Sequence, residues 1–495
     1  MPNFNLFTTK YNQYLFSFYR KHIIYMNPMI VRYIKLKDFN ATNNKSITEE
    51  NQDESDGLLL KTEEEAHTYY KRKFEFLKEN GFFNTISNEQ IIGGRLKPSD
   101  INYELSNLRA LVFEITERCN LQCKYCFYGD NYHSHDSRNN LDLSIANAKA
   151  VIEYLIPKWL SKVNSNLEKE IFIGFFGGEP LLNFPFIEEL VSYIEELSKN
   201  TPLNFRFNMT TNGVLLNQHI EFIAKNNFAL TISLDGDSFA NSYRLFPNNK
   251  ESFKVVFKNI HLVKKNYPSF FEQNVLFNAV LHDRNDFISI QEFIWREFKK
   301  SIAGTEVNPL LVGKKFNYDG HNYDLNKSEH KKCFLSSGES LSYNMFLRNY
   351  TNNHFSTIDD LFDYNTKGNY LPTGTCNPFS KRMFVTAKGK ILPCEAIAHE
   401  YSLGNVQNGK VFLDYEKIVM MYNNHFEKLK GKCNNCYRVN LCKECLFLNI
   451  IKEDKTVKCS HLKNEDHIDL LRDYYSFFEA FTDVYSEIWR KTRYA

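Results

Sequence analysis

No stretch of this 495-residue chain approaches the roughly 18 consecutive apolar residues that a membrane-crossing helix needs, so a helical membrane protein is excluded. Charge of one sign is not in excess either. Lys and Arg number 61 against 59 Asp and Glu, a formal +2, and nothing predicts a polyanionic partner such as bulk nucleic acid. Met1 to Tyr19 mix Lys and Asn with aromatics and contain neither a continuous apolar stretch nor a small-residue cleavage site. No secretory signal and no membrane partner are therefore expected, and the expected location is cytoplasmic. Wholesale disorder is excluded by 43% hydrophobic residues. A disulfide framework is not expected in a reducing compartment and a chain this long. The eleven cysteines are spaced instead like thiolate ligands of metal.

The chain divides by pattern. Residues 1–105 carry short aromatic strands (Tyr14–Phe18 and Ile30–Ile34) and a polar, acidic loop from Ala41 to Gly57. A helix is expected over Thr62–Phe82, with Thr62 and Glu65 at capping-box spacing and Gly81 as its stop. Together these form an N-terminal α+β module. Over residues 106–325, strands expected at Ala110–Thr116, Ile171–Phe176, Asn204–Met209, Ala229–Leu234, Val275–Leu281 and Glu306–Val312 alternate with helices. The helices are expected at Ser144–Lys162, Phe186–Lys199, Gln218–Asn226, Phe253–Lys265 and Ile288–Lys300. That alternation predicts an α/β fold with a parallel sheet and right-handed crossovers. Six units are too few to close an eight-stranded barrel. A partial (β/α)6 barrel or an open sheet is expected, with chemistry at the strands' C-terminal ends. Residues 326–370 bridge to a cysteine-rich region at 371–462, and 463–495 return to helix.

Cys119, Cys123 and Cys126 form CxxxCxxC just after the first strand of the parallel sheet. Short spacers let consecutive sulfurs face one metal cube. Iron–sulfur cubes usually take four cysteines, so three leave one iron free to bind a substrate or cofactor. The spacing also allows a structural zinc site completed by His133 or His135. Three further features stand in order at the strand ends: Gly177-Gly178-Glu179-Pro180, Thr210-Thr211-Asn212-Gly213 and Ser233-Leu234-Asp235-Gly236. Each alone reads as a glycine turn closing a βα unit.

With Tyr125 directly before Cys126, this series resembles the radical S-adenosylmethionine (SAM) family, whose cluster motif is CxxxCx-aromatic-C and whose second strand ends in GGEP. The resemblance implies a [4Fe–4S] cluster whose free iron chelates the amino and carboxylate groups of SAM. An electron from the cluster then gives a 5′-deoxyadenosyl radical. On the same resemblance, Gly177 and Gly178 would let backbone approach the methionine moiety, and Glu179 would meet its ammonium. Ser233 would donate to ribose or carboxylate oxygens, and Tyr125 would lie by the adenine. Arg244 would neutralise the SAM carboxylate, its plain alternative being an ordinary surface arginine.

Seven more cysteines follow, with Cys376, then Gly389 opening GxxxxC at Cys394, then CxxCxxxxxCxxC (Cys433, Cys436, Cys442, Cys445), and Cys459 last. This order, with Leu403-Gly404-Asn405-Val406 in the gap, resembles the SPASM extension of radical SAM peptide maturases, which holds two auxiliary [4Fe–4S] clusters. The last spacer of the four-cysteine run is two residues where the family has three, a departure that bears on Cys445. By position the resemblance assigns Cys433, Cys436, Cys442 and Cys459 to one cluster. Cys376, Cys394 and Cys445 are assigned to the other. Cys333 is left over, read as a buried inert thiol or as the missing ligand. Two zinc sites with His461 as an eighth ligand are the competing reading.

SPASM-type enzymes act mostly on peptides, which implies a ribosomal precursor peptide as partner and flavodoxin or ferredoxin as electron donor. Residues 1–105 resemble a leader-peptide recognition module working by strand addition, or else cap the barrel. With Tyr69-Tyr70 and Phe74 ahead of the core, the order most resembles peptide maturases of Bacteroidetes-like lineages. The implied reaction is hydrogen abstraction followed by thioether or carbon–carbon crosslinking. The alternatives are sulfatase maturation, oxidising Cys or Ser to formylglycine, and a non-catalytic zinc scaffold. No residue stands out as a catalytic base.

Overall fold

The computed structural model describes residues 4–17, 22–31, 34, 63–84, 95–126, 128–129, 136–285, 287–300, 302–306, 375–433, 445, 447, 450–453, 456–459 and a few helical positions between 471 and 479. The expected loop at 41–57, the bridge at 326–370, Thr62, His133, His135, Cys333, Cys436, Cys442 and His461 lie outside the described residues.

The chain opens with an antiparallel sheet of β1 (Phe4–Thr8), β2 (Gln13–Ser17) and β3 (His22–Tyr25), in that spatial order. Leu15 stands opposite both Leu6 and Ile24, and period-two alternation gives the sheet two apolar faces. One face packs on Met26, Ile30 and Val31 and on Tyr70, Phe74 and Leu77 of helix α1 (Glu63–Glu79). On the other, Tyr475 meets Phe7 and Tyr14 at centroid distances of 5.9 and 4.6 Å, and Glu479 accepts hydrogen bonds from Asn12 Nδ2 and Tyr14 Oη, both 2.7 Å. The C-terminal segment thus returns to the first strands. Gly81, at φ 78, ends α1 as expected. The strand expected over Ile30–Ile34 is instead a helical turn at 28–31. Asn27 starts that turn by accepting the Met29 N–H on its side chain and the Ile30 and Val31 N–H groups on its carbonyl, with Pro28 first in the helix.

Helix α2 (Pro98–Ser106) leads into the main sheet. Strands β4 (Ala110–Thr116), β5 (Glu170–Gly177), β6 (Asn204–Thr211), β7 (Ala229–Ser233), β8 (Val275–Leu281) and β9 (Ile302–Glu306) run parallel in sequence order. Their crossovers carry α3 (Ile145–Trp159), α4 (Phe184–Lys199), α5 (Leu216–Lys225), α6 (Phe253–Asn266), α7 (Pro268–Asn274) and α8 (Phe287–Phe298). This is the partial (β/α)6 barrel. Alternate β4 residues Leu111, Phe113 and Ile115 join the apolar core under the helices, while Glu114 and Thr116 are buried polar groups between them. The sixth strand comes earlier than Glu306–Val312. Lys299, at φ 58, ends α8, and Ile302 pairs with Phe277 three residues later.

The cysteine-rich region continues the same sheet. Strand β10 (Met383–Val385) pairs parallel with β4 on the side away from β5. Strands β11 (Lys390–Leu392), β12 (Gly404–Gln407) and β13 (Lys410–Leu413) follow antiparallel, making ten strands. Helix α9 (Tyr415–Cys433) packs into the same core, and Asn423 exchanges two 3.0 Å bonds with the Leu96 backbone just before α2. A hairpin of β14 (Ile450–Glu453) and β15 (Thr456–Cys459) places Cys459 opposite Ile450.

Candidate active site

The loop leaving β4 is held by backbone bonds on several sides. Gln122 N donates to Leu245 O at 2.7 Å and Lys124 N to Tyr243 O at 3.1 Å. Cys126 N donates to Cys123 O at 3.0 Å, and Gly129 N to Cys126 O at 2.8 Å. Cys119, Cys123 and Cys126 therefore share one tethered turn at the C-terminal end of β4, all three with free thiols. Cys119 is reached by solvent yet crowded by protein. Burial pushes its thiol up to about 11 and that of Cys123 up to about 12, with Arg244 pulling Cys123 the other way. Thiols so placed become thiolates when a bound cation supplies the compensating charge. Among the described residues, no three Cys, His, Asp or Glu side chains already converge as a metal site. The donor chemistry fits a cube gripped at three corners: three thiols on one turn with an arginine charge nearby.

Gly177 and Gly178 have a structural reason beside the one expected. A Cβ on Gly177, at φ 151, would lie 2.4 Å from Thr116 O, and one on Gly178 would lie 2.2 Å from Arg118 O. Their missing side chains make room for the backbone that leads into Cys119. Gly178 N and Glu179 N then donate to Thr116 O and Arg118 O at 2.9 and 2.8 Å. The Glu179 side chain has no exposed surface and accepts three bonds, from Thr211 Oγ1 (2.7 Å), Asn212 N (2.7 Å) and Leu181 N (3.1 Å). Asn212 Nδ2 donates to Asn120 Oδ1 at 2.7 Å and reaches Cys119 Sγ at 3.9 Å. The ends of β5 and β6 thus brace the cysteine turn through one buried carboxylate.

Burial pushes the Glu179 carboxyl up to about 7, against the three donors that favour its ionised form. The folded chain therefore holds this proton where the unfolded chain, near the ordinary 4.5, has lost it. Stability contributed by this group is present below that lower value and falls as pH rises toward 7. Wild type is expected to lose up to about 3 kcal/mol relative to Glu179→Gln between about pH 5 and pH 8. Urea unfolding of cluster-free protein at each pH measures it, and a wild-type-minus-variant difference flat in pH would show Glu179 ionised throughout.

Beyond β7 lies a buried charge network that the sequence pattern did not assign. Asp235, with no exposed surface, accepts from Arg244 Nε and Nη2, both at 2.9 Å, from Val280 N at 2.9 Å, and from Tyr125 Oη. His282 Nε2 stands 3.8 Å from Asp235, and its ring stacks on Tyr125 at 5.5 Å and lies 4.9 Å from Tyr243. Burial pushes the Asp235 carboxyl up, but the Arg244 charge, the nearby His282 ring and the bonds from Arg244 and Tyr125 outweigh it and hold it at about 2. Arg244 is thus a buried ion-pair partner and not a surface arginine, with Nη1 the guanidinium nitrogen not bound to Asp235. Tyr125 is tied to the same carboxylate. Ser233 ends β7 half-buried, in register with Asn278.

A second missed cluster crosses to the cysteine-rich region. Glu114 of β4 accepts from Arg138 Nη2 at 2.8 Å and from Ala387 N at 3.0 Å, and the Arg138 guanidinium lies 3.5 Å over the Tyr128 ring. There, Gly389 takes φ 79, and a Cβ on it would meet Val406 O at 2.2 Å. The glycine of GxxxxC lets β12 close on the turn before Cys394. Cys376, Cys394 and Cys445 are half-buried, and burial pushes the Cys394 thiol up to about 12. Cys433 ends α9 and Cys459 ends β15, with their side chains, like Cys436 and Cys442, outside the described residues.

A partial barrel with a three-cysteine turn at its first strand end defines the class of cluster-dependent barrel enzymes. The model of the Radical SAM superfamily matches residues 113–294. An uncharacterized protein of Methanocaldococcus jannaschii is 30% identical over 49% of this chain and 84% of its own length. This chain belongs to the Radical SAM superfamily and is an enzyme that binds a [4Fe–4S] cluster and SAM. It is also similar to a cysteine-type anaerobic sulfatase-maturating enzyme of Clostridium novyi, at 26% identity over 68% of this chain and 87% of that one. The radical SAM cyclopropyl synthase TigE of Paramaledivibacter caminithermalis is 24% identical over 68% and 67% of the two chains. A solved structure described as native anSMEcpe with bound AdoMet and Kp18Cys peptide shares the fold, with TM-score 0.53 and 21% identity over 77% of this chain and 98% of that one. No helix among the described residues is long and apolar enough to cross a membrane.

Proposed function

We propose that this enzyme modifies a ribosomally made precursor peptide: the deoxyadenosyl radical would abstract a hydrogen from one residue, and closing a thioether or carbon–carbon crosslink would release one further proton and one electron, the electron passing to an auxiliary cluster. The observation that carries the reading is the tethered turn at 119–126, braced by Glu179 and Asn212 and faced by the Arg244 charge. A cluster on Cys119, Cys123 and Cys126 would supply the electron that divides SAM into methionine and a 5′-deoxyadenosyl radical. Arg244 would receive the SAM carboxylate through Nη1, and Ser233 would meet its ribose. Glu179, already accepting three bonds, would hold the turn more than meet the ammonium. The cysteines of the extension would hold two auxiliary [4Fe–4S] clusters in a SPASM-like arrangement, with flavodoxin or ferredoxin as reductant.

Two observations support a peptide substrate. Strand β3 pairs only with β2 among the described residues and exposes Tyr25, so its outer edge can accept a leader strand. A solved structure of the same fold that holds a peptide points the same way. Formylglycine formation is the second reading, favoured by the sulfatase-maturating relative matched over 87% of its length. Anaerobic incubation of reconstituted enzyme, SAM and dithionite with a candidate precursor peptide separates the two. A peptide lighter by two hydrogens and silent to a hydrazide probe supports crosslinking. An aldehyde captured by the probe supports the second reading, and failure to form 5′-deoxyadenosine overturns both.

A further inference from the structure

Tyr422 lies near the middle of α9 with no exposed surface, packed against Phe426 and Phe447 at ring-centroid distances of 6.1 and 5.2 Å. Its hydroxyl has no hydrogen-bond partner among the described residues. Buried phenols nearly always find one, because an unpaired O–H forfeits what it had in water. Among the described residues, the thiols of Cys445, Cys394 and Cys376 lie near enough to this phenol to act on it through space. Cys394 and Cys445 pack against the same core cluster that contains Tyr422. Two polar side chains of this region, among the described residues, are already engaged. His425 Nδ1 bonds the Met421 carbonyl, and Glu395, next to Cys394, is paired with Arg382 at 2.7 Å. An orphan donor and the sulfurs of Cys394 and Cys445 therefore border the same apolar core.

We propose that Tyr422 donates its O–H to the sulfur shell of an iron–sulfur cluster held by Cys376, Cys394 and Cys445, closing the side of that site where a fourth cysteine is missing. The inference rests on the auxiliary-cluster reading above. Thiolate and sulfide sulfurs accept hydrogen bonds, and each donor draws charge from the cluster and favours its reduced state. The O–H would thus raise the reduction potential of this one centre. No bond to iron is needed, so the hydroxyl stays a donor.

The test uses full-length protein reconstituted without oxygen, with Cys119, Cys123 and Cys126 replaced by alanine so that only auxiliary signals remain. Tyr422→Phe in this background is expected to keep the iron content. One auxiliary centre should shift to a more negative midpoint potential in an EPR-monitored titration while the other stays put. In deuterated buffer, ENDOR should find an exchangeable deuteron coupled to that centre, absent from Tyr422→Phe. This second measurement reads the unmutated side chain and stands even if the variant folds poorly. Unchanged potentials together with no such deuteron overturn the proposal. So does loss of about four irons with an altered cluster spectrum in Tyr422→Phe, which would make the tyrosine a ligand. Replacing Cys376, Cys394 and Cys445 by alanine checks the underlying reading separately. Undiminished iron in that variant sinks the cluster assignment itself, and the proposal with it.

Discussion

Cys126→Ala is expected to abolish 5′-deoxyadenosine formation while leaving roughly eight of about twelve irons in place. The turn around Cys126 is made by backbone groups: its N–H donates to Cys123 O at 3.0 Å and its carbonyl accepts from Gly129 N at 2.8 Å. Alanine keeps both bonds, so the variant loses a ligand without losing the turn. Two thiolates cannot hold a cube that normally takes four, or three with a bound cofactor. The cysteines at 376 and beyond belong to other parts of the fold, so the metal proposed for them should stay. Chromatography of the nucleoside after SAM and dithionite, with an iron assay on the same sample, reads both quantities. Nucleoside formed at the wild-type rate would remove the 119–126 turn from the chemistry. A colourless wild-type protein carrying about two or three zinc ions would restore the scaffold reading.

Much of the barrel was legible before any coordinates, for a physical reason. Strands buried on both faces and helices buried on one leave different periods in the sequence, so β4 and β8 begin and end where the pattern places them. The cysteine turn was legible because ligand spacing is local. Long-range contacts were not. Asp235, Arg244 and His282 come from three separate stretches after β7 and β8, and only the rule that a buried carboxylate needs a cation could have paired them. Gly177 and Gly178 read as room for a ligand, and the fold adds a demand of its own: a Cβ on either would strike the backbone of 116–118, set by the β4–β5 register that no residue announces. The three residues of β10 are too few to show a period, so their pairing with β4 was hidden. At 28–31 the same apolar residues suit a strand or a helix, and Asn27-Pro28 decides between them.

The buried pair beyond β7 carries the second large effect. Arg244→Met is expected to destabilise the protein by about 3–5 kcal/mol, because it leaves the fully buried Asp235 ionised without its cation. The neighbours make matters worse. Val280 N and Tyr125 Oη both donate to this carboxylate, so it cannot turn away to find water. The linkage sign agrees. A carboxyl held at about 2 instead of the ordinary 3.8 contributes stability that is present above 3.8 and is lost as pH falls toward 2. Adding Asp235→Asn to Arg244→Met should recover most of the loss, since the amide keeps an acceptor for Val280 N and carries no charge to compensate. Urea midpoints of the two single variants and the double give the coupling directly. A double variant no more stable than Arg244→Met alone would mean that packing of the guanidinium, and not its charge, holds this corner of the barrel. SAM binding offers an independent check, because the double variant should regain stability without regaining affinity for the carboxylate of SAM.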